Sequence, residues 1–149
     1  MELKIGDAAP SFSAKDETGK EIKLQDFSGK KLVLYFYPKD DTSGCTAQAC
    51  NLRDSLPALS AAGYNIVGVS VDDEKSHLKF IAKYGINFPL IADTDHQLVE
   101  AFGVWKEKSM YGKKYMGTVR TTFLIDGNGI ISNIIEKVKT AEHAAQILE

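Results

Sequence analysis

The segment Lys31-Leu32-Val33-Leu34-Tyr35-Phe36-Tyr37-Pro38-Lys39-Asp40-Asp41-Thr42-Ser43-Gly44-Cys45 decides the fold. From Lys31 to Tyr37 it is β-branched, aromatic and almost wholly apolar, as in a central strand covered on both faces. Pro38 ends that strand, and a short polar loop follows. From Thr46 to Ala62 the apolar residues Ala49, Leu52, Leu56 and Leu59 recur at steps of three and four, with Cys45 on the same stripe one turn earlier. An amphipathic helix is expected to begin near Cys45. Pro57 removes one of its backbone donors, at a cost of roughly 3 kcal/mol in a straight helix, which predicts a bend or break over residues 53–57.

Working outward, Asn65 to Val71 is a second buried strand, and Phe12 to Lys23 forms a hairpin around Glu17-Thr18-Gly19-Lys20. Asp73 to Tyr84 places Leu78, Ile81 and Ala82 on one helical face, with Asp72 and Asp73 as capping candidates and Gly85 as the stop. Phe88 to Ala92 is a short strand. Thr94 and Asp95 are candidate caps of a brief helix running to Phe102, and residues 104–118 read as a loop. Arg120 to Asp126 and Ile130 to Ile135 flank Gly127-Asn128-Gly129, a strand-turn-strand signal. Thr140 is expected to cap a last helix. The alternation predicts one α/β domain spanning residues 1–149, with a central sheet flanked by helices on both faces and an N-terminal β-hairpin.

The chain has 149 residues, 44% hydrophobic and 26% charged, within the ordinary globular range. Its net charge of -2 offers no global field for nucleic acid or an anionic membrane, and its apolar runs are far shorter than the ~20 residues of a spanning helix. A cytoplasmic protein acting on small molecules is expected. The basic residues Lys106, Lys108, Lys113, Lys114 and Arg120 read as a solvated rim rather than a nucleic-acid footprint, and Trp105 and Tyr111 as packing residues. His77, His96 and His143 are scattered and read as solvated or structural.

The two cysteines, Cys45 and Cys50, carry the functional question. They lie too far in sequence from the histidines to suggest a zinc site, and a structural bridge closing so short a loop would contribute only about 2 kcal/mol. Inert buried thiols remain the plain alternative. Against it stands the position of Cys45 at a helix start, where unpaired backbone N–H groups favour a thiolate.

Pro38-Lys39-Asp40-Asp41-Thr42-Ser43-Gly44-Cys45 has the Pro-x-x-x-Thr-x-x-Cys pattern of peroxiredoxins, and Met110 to Gly117 and Arg120 to Asp126 resemble later segments of that family. The offset between the cysteines resembles the peroxiredoxin Q, or bacterioferritin comigratory protein, group. The resemblance runs from about Leu3 to the C-terminus. It implies a thioredoxin-like fold and thiol-dependent reduction of hydrogen peroxide or alkyl hydroperoxides without metal or other cofactor. In that scheme Cys45 is the peroxidatic nucleophile and Cys50 the resolving cysteine. Thr42 and Arg120 serve peroxide and thiolate, Pro38 and Gly44 belong to the pocket, and thioredoxin or a similar dithiol protein is the reductant. A monomer or weak dimer is expected. Ser43 stands where the group usually has Pro, and Gln48 where it often has Glu. Rival readings are a thiol–disulfide oxidoreductase, which lacks its usual C-x-x-C here, and a redox-responsive binding module.

Overall fold

The computed structural model describes residues 2–149, and its five-stranded sheet is built around the strand that precedes Pro38. That strand, β3 (Lys31–Phe36), pairs in parallel with β4 (Tyr64–Ser70), which pairs in parallel with β5 (Leu90–Ala92). On its other side β3 pairs antiparallel with β8 (Thr121–Ile125), and β8 with β9 (Ile131–Ile135). The spatial order is β5-β4-β3-β8-β9. Successive side chains of β3 point to opposite faces, so one run serves two cores. Leu32, Leu34 and Phe36 enter one cluster, and Val33, Tyr35 and Tyr37 the other.

Helix α1 (Ser43–Asp54), α2 (Leu56–Ala61), α3 (Glu74–Tyr84) and α5 (His143–Leu148) supply Cys45, Ala49, Leu52, Leu59, Phe80, Ala144 and Ile147 to the second cluster. Helix α4 (Gln97–Ala101) and the N-terminal hairpin of β1 (Ser13–Lys15) and β2 (Glu21–Lys23) cover the first, through Leu98, Val99, Phe12 and Ile22. Helices therefore occupy both faces, as expected. On β4, Gly68 permits a close approach: a Cβ there would lie 2.7 Å from Leu90 Cδ2 and 3.0 Å from the Tyr35 ring. The break expected over 53–57 falls at Ser55, between α1 and α2.

Several local expectations are corrected. Residues 104–118 are no loop: β6 (Trp105–Met110) and β7 (Lys113–Thr118) form an antiparallel hairpin. Its tip residues Tyr111 and Gly112 both have positive φ, the pattern of a type I′ turn. The hairpin stands apart from the central sheet with most residues exposed on both faces, so no apolar alternation marked it in the sequence. Tyr111 packs on nothing and is 98% exposed. In α3 the buried face carries His77 and Phe80, while Leu78 and Ala82 face outward. Thr140 begins a 3₁₀ turn (Thr140–Glu142) and makes no side-chain cap.

Nor do Thr94 and Asp95 cap α4 as read. Asp93 accepts hydrogen bonds from the backbone N–H groups of Leu98 (3.0 Å) and Val99 (2.9 Å), while Asp95 reaches only Gln97 N–H. Asp93 is buried, and that burial raises its carboxyl above the usual range despite the two N–H donors. Replacing Asp93 with Ala would orphan those donors in a buried setting, since Leu98 and Val99 are themselves core residues. The expected cost is about 2 kcal/mol. A thermal melt of Asp93→Ala should show Tm lowered by roughly 4–8 °C for a domain of this size.

Candidate active site

The antiparallel register Phe36↔Thr121 brings the end of β3 and the start of β8 to one edge of the sheet, so the loop after Tyr37 and the residue Arg120 meet there. The loop turns into α1 with Thr42 as its extended N-cap residue. The helix starts two residues before Cys45, which is thus the third residue of the first turn. Thr46 N–H is paired with Thr42 carbonyl oxygen at 2.8 Å, while the preceding amides of the turn lie N-terminal to the helical ladder.

Cys45 is buried, and its Sγ lies 3.4 Å from Arg120 Nη2. Arg120 Nη1 donates to Gln48 Oε1 at 2.7 Å, so one guanidinium spans the thiol and an amide one turn further along the same helix. Gly44 makes room for it. A Cβ at that position would stand 3.1 Å from Arg120 Nη2 and 3.8 Å from Thr140 Cγ2, so a larger residue would push the guanidinium off its line to the sulfur.

Of the residues singled out from the sequence, Cys45, Arg120 and Gly44 come together in contact. Thr42 sits three residues earlier, exposed, its hydroxyl donating to Lys39 carbonyl oxygen at 2.9 Å. That bond fixes the hydroxyl on the loop and leaves its lone pairs available. Pro38 is half-buried where the chain leaves β3. Cys50 lies in the same helix as Cys45, half-buried, and both thiols are free.

Arg120 acts as the fixed cation of this site, and its neighbours are kept neutral or weakened as bases. Burial raises the Tyr35 hydroxyl well above its ordinary value, with Cys45 adding to the effect. Burial also lowers the His143 imidazole, and the positive charge of Arg120 lowers it further. The ring is held by Thr122 Oγ1 and Gln146 Oε1, both at 2.8 Å. Lys108, on β6, is lowered first by burial and then by Arg120.

Sequence reasoning missed two participants. Gln48 lies one turn beyond Cys45 on the same helical face, a spacing that could have marked it. Lys108 belongs to the pocket wall rather than to a solvated rim, half-buried on β6 near Arg120. Nothing in the sequence distinguished it, because its approach to Arg120 depends on the hairpin that went unread. Its aliphatic stem lies over Gly117, where a Cβ would be 3.1 Å from Lys108 Cδ.

Residues 5–134 match the AhpC/TSA family. Peroxiredoxin Bcp of Bacillus subtilis is 46% identical over 149 residues, covering 100% of this chain and 95% of that protein. A cysteine-to-serine mutant of Xylella fastidiosa PrxQ superposes with a TM-score of 0.93 at 36% identity, covering 99% of this chain and 94% of the other. The Xanthomonas campestris bacterioferritin comigratory protein, solved to explain its alkyl peroxide reduction activity, superposes with a TM-score of 0.88 at 42% identity over 98% of this chain and 93% of the other. Full-length agreement in sequence and in fold leaves one conclusion: the chain belongs to the AhpC/TSA family and, within it, to the Bcp/PrxQ peroxiredoxins, which are thiol peroxidases.

Proposed function

We propose that Cys45 reduces hydrogen peroxide and alkyl hydroperoxides and that Cys50 resolves the product as an intramolecular disulfide. The observation that carries this reading is the Arg120 Nη2 to Cys45 Sγ contact of 3.4 Å at a helix start. A guanidinium and the first-turn N–H groups set positive charge and donors around the sulfur that attacks. The thiolate attacks the terminal peroxide oxygen, the O–O bond breaks, and the other oxygen leaves as alkoxide or hydroxide and takes up a proton. Cys45 becomes a sulfenic acid. Thr42 Oγ1, whose proton goes to the Lys39 carbonyl oxygen, accepts from the peroxide hydroxyl, and Arg120 donates to the peroxide oxygens as charge develops on the leaving one. Cys50 thiolate then attacks the sulfenic sulfur, water departs, and the disulfide forms. A dithiol protein of the thioredoxin kind restores both thiols by exchange.

The helix sets a condition on the second step. Residues five apart on an ideal helix have Cα atoms about 8.6 Å apart, beyond the ~7 Å reach of a disulfide. Cys45 and Cys50 both lie within α1, so part of that helix must unwind before they join. The break at Ser55 confines the unwinding and spares α2. The C-terminal segment is coupled to it, because Asn51 Oδ1 accepts from Ala144 N–H at 2.8 Å.

Peroxide consumption with a thioredoxin system separates the roles of the two thiols. Cys45→Ser should abolish turnover, whereas Cys50→Ser should give a single oxidation and a trappable sulfenic acid. Full turnover by Cys45→Ser would overturn the assignment. Arg120→Lys, which keeps a charge but loses the bidentate reach to Gln48 and sulfur, should slow peroxide reduction by roughly 10- to 100-fold in kcat/KM. For the helix, amide exchange is expected to quicken on oxidation over residues 43–52 and, through Asn51, over residues 140–146. Equal protection of 43–52 in both redox states would show that the bridge forms without unwinding.

A further inference from the structure

The Cys45 loop is held from one side by α3, and the hold centres on a buried histidine to which the peroxidase scheme gives no role. His77 Nδ1 lies 2.7 Å from Asp40 Oδ2, and its Nε2 lies 2.9 Å from Ile91 carbonyl oxygen. A carbonyl oxygen only accepts, and the Asp40 side chain, which already accepts from the Tyr37 and Ser76 hydroxyls, is an acceptor for the ring as well. Both ring nitrogens must therefore donate, which only the doubly protonated ring can do. The side chain of His77 is fully buried and that of Asp40 nearly so.

We infer that His77 is a permanent buried imidazolium at neutral pH and that, through Asp40, it is a positioning residue for the Cys45 loop, setting how readily that loop leaves its peroxide-ready form. Asp40 collects Tyr37 hydroxyl (2.6 Å) on Oδ1, and Ser76 hydroxyl (2.8 Å) with His77 on Oδ2. Its backbone N–H is held by Asp72 Oδ2 at 2.9 Å. The adjacent Asp41 has positive φ and binds Lys83 Nζ and Tyr84 hydroxyl further along the same helix. The segment between Pro38 and Thr42 is thus tied to α3 at two levels. The charge of the imidazolium matters because a neutral ring would leave one of two buried acceptors facing a lone pair.

The groups that face the ring are Asp40, Asp72, Glu17 and the Tyr37 hydroxyl. Burial opposes the charge, and the hydrogen bond and charge of Asp40 outweigh it, with Ile91 carbonyl and Asp72 assisting, so the ring titrates above the ordinary histidine value. A group raised on folding adds stability that is complete below its unfolded value and is lost as pH rises through its folded one. The loop should accordingly loosen on the alkaline side. Its consequence for turnover rests on the reading of Cys45 as the attacking thiol, but the state of the ring does not.

The test is first spectroscopic, on the reduced wild-type chain. The ¹⁵N shifts of His77 at pH 7 should show both ring nitrogens protonated, and Asp40→Asn should return the ring to a neutral tautomer at that pH. Amide exchange over residues 39–46 should quicken as pH rises through the His77 titration, beyond the intrinsic base catalysis seen at other protected amides. In His77→Gln it should be faster by about tenfold and lack that extra dependence. With the same variant, kcat/KM for peroxide should fall while the first-order rate of disulfide closure rises. A neutral His77 at pH 7 in the wild type would overturn the inference. So would loop exchange that ignores the titration. Turnover retained by Cys45→Ser with the wild-type ring doubly protonated would instead count against the Cys45 reading alone.

Discussion

The contact between Arg120 and Cys45 joins residues 75 positions apart, and much of the architecture exists to make it possible. It requires β3 and β8 to lie side by side, antiparallel, in the register that sets Phe36 opposite Thr121. A slip by one residue would turn Val33 and Tyr35 to the opposite core and carry Arg120 away from the helix start. Burial on both faces prevents such a slip, because Leu34, Phe36, Val33 and Tyr35 are each inserted among partners of a definite shape. The electrostatics of the site thus depend on the packing of a strand that contains no reactive group.

That dependence explains what was legible in the sequence. The run from Lys31 to Tyr37, the Pro38 stop and the stripe through Cys45 and Ala49 are strong local signals, and the strand, loop and helix stand where they pointed. Wherever one face of an element is buried, periodicity reports it. The hairpin of residues 105–118 has little burial on either face, so its strands left no apolar period. The misreading of α3 has a different cause. Hydrophobic pattern counts histidine as polar, yet His77 occupies the innermost position of that helix because Asp40, 37 residues earlier, supplies a counter-charge. Likewise the cap of α4 comes from Asp93, inside the fold, rather than from the residues that adjoin the helix.

The candidate site divides in the same way. Cys45, Thr42 and Pro38 belong to one short motif and could be read together. Arg120 came only through resemblance to a family, since no local rule connects an arginine at a strand start with a cysteine in another segment. Gln48 and Lys108 became visible only in three dimensions. Gln48 gives Arg120 a neutral acceptor, so the guanidinium is oriented without having its charge cancelled by a carboxylate. A full positive charge is then left facing the sulfur, in a surrounding where Tyr35 stays protonated and His143 is disfavoured as a cation.

The same loop must satisfy opposing demands. Attack on peroxide needs Cys45 held in the first turn of α1 against Arg120, and disulfide formation needs that turn to open. The structure separates the two demands in space. The N-terminal side of the loop is anchored to α3 through Asp40 and Asp41, whereas the helix between the two cysteines is held by contacts that opening would break, Cys45 and Gln48 on Arg120 and Asn51 to Ala144. An anchored entrance with a releasable helix lets the chain return to one starting geometry after each opening. The buried charges at Asp40 and His77 serve that end better than apolar packing would, because a donor and acceptor set with four partners has a single satisfied arrangement, whereas apolar contacts tolerate several.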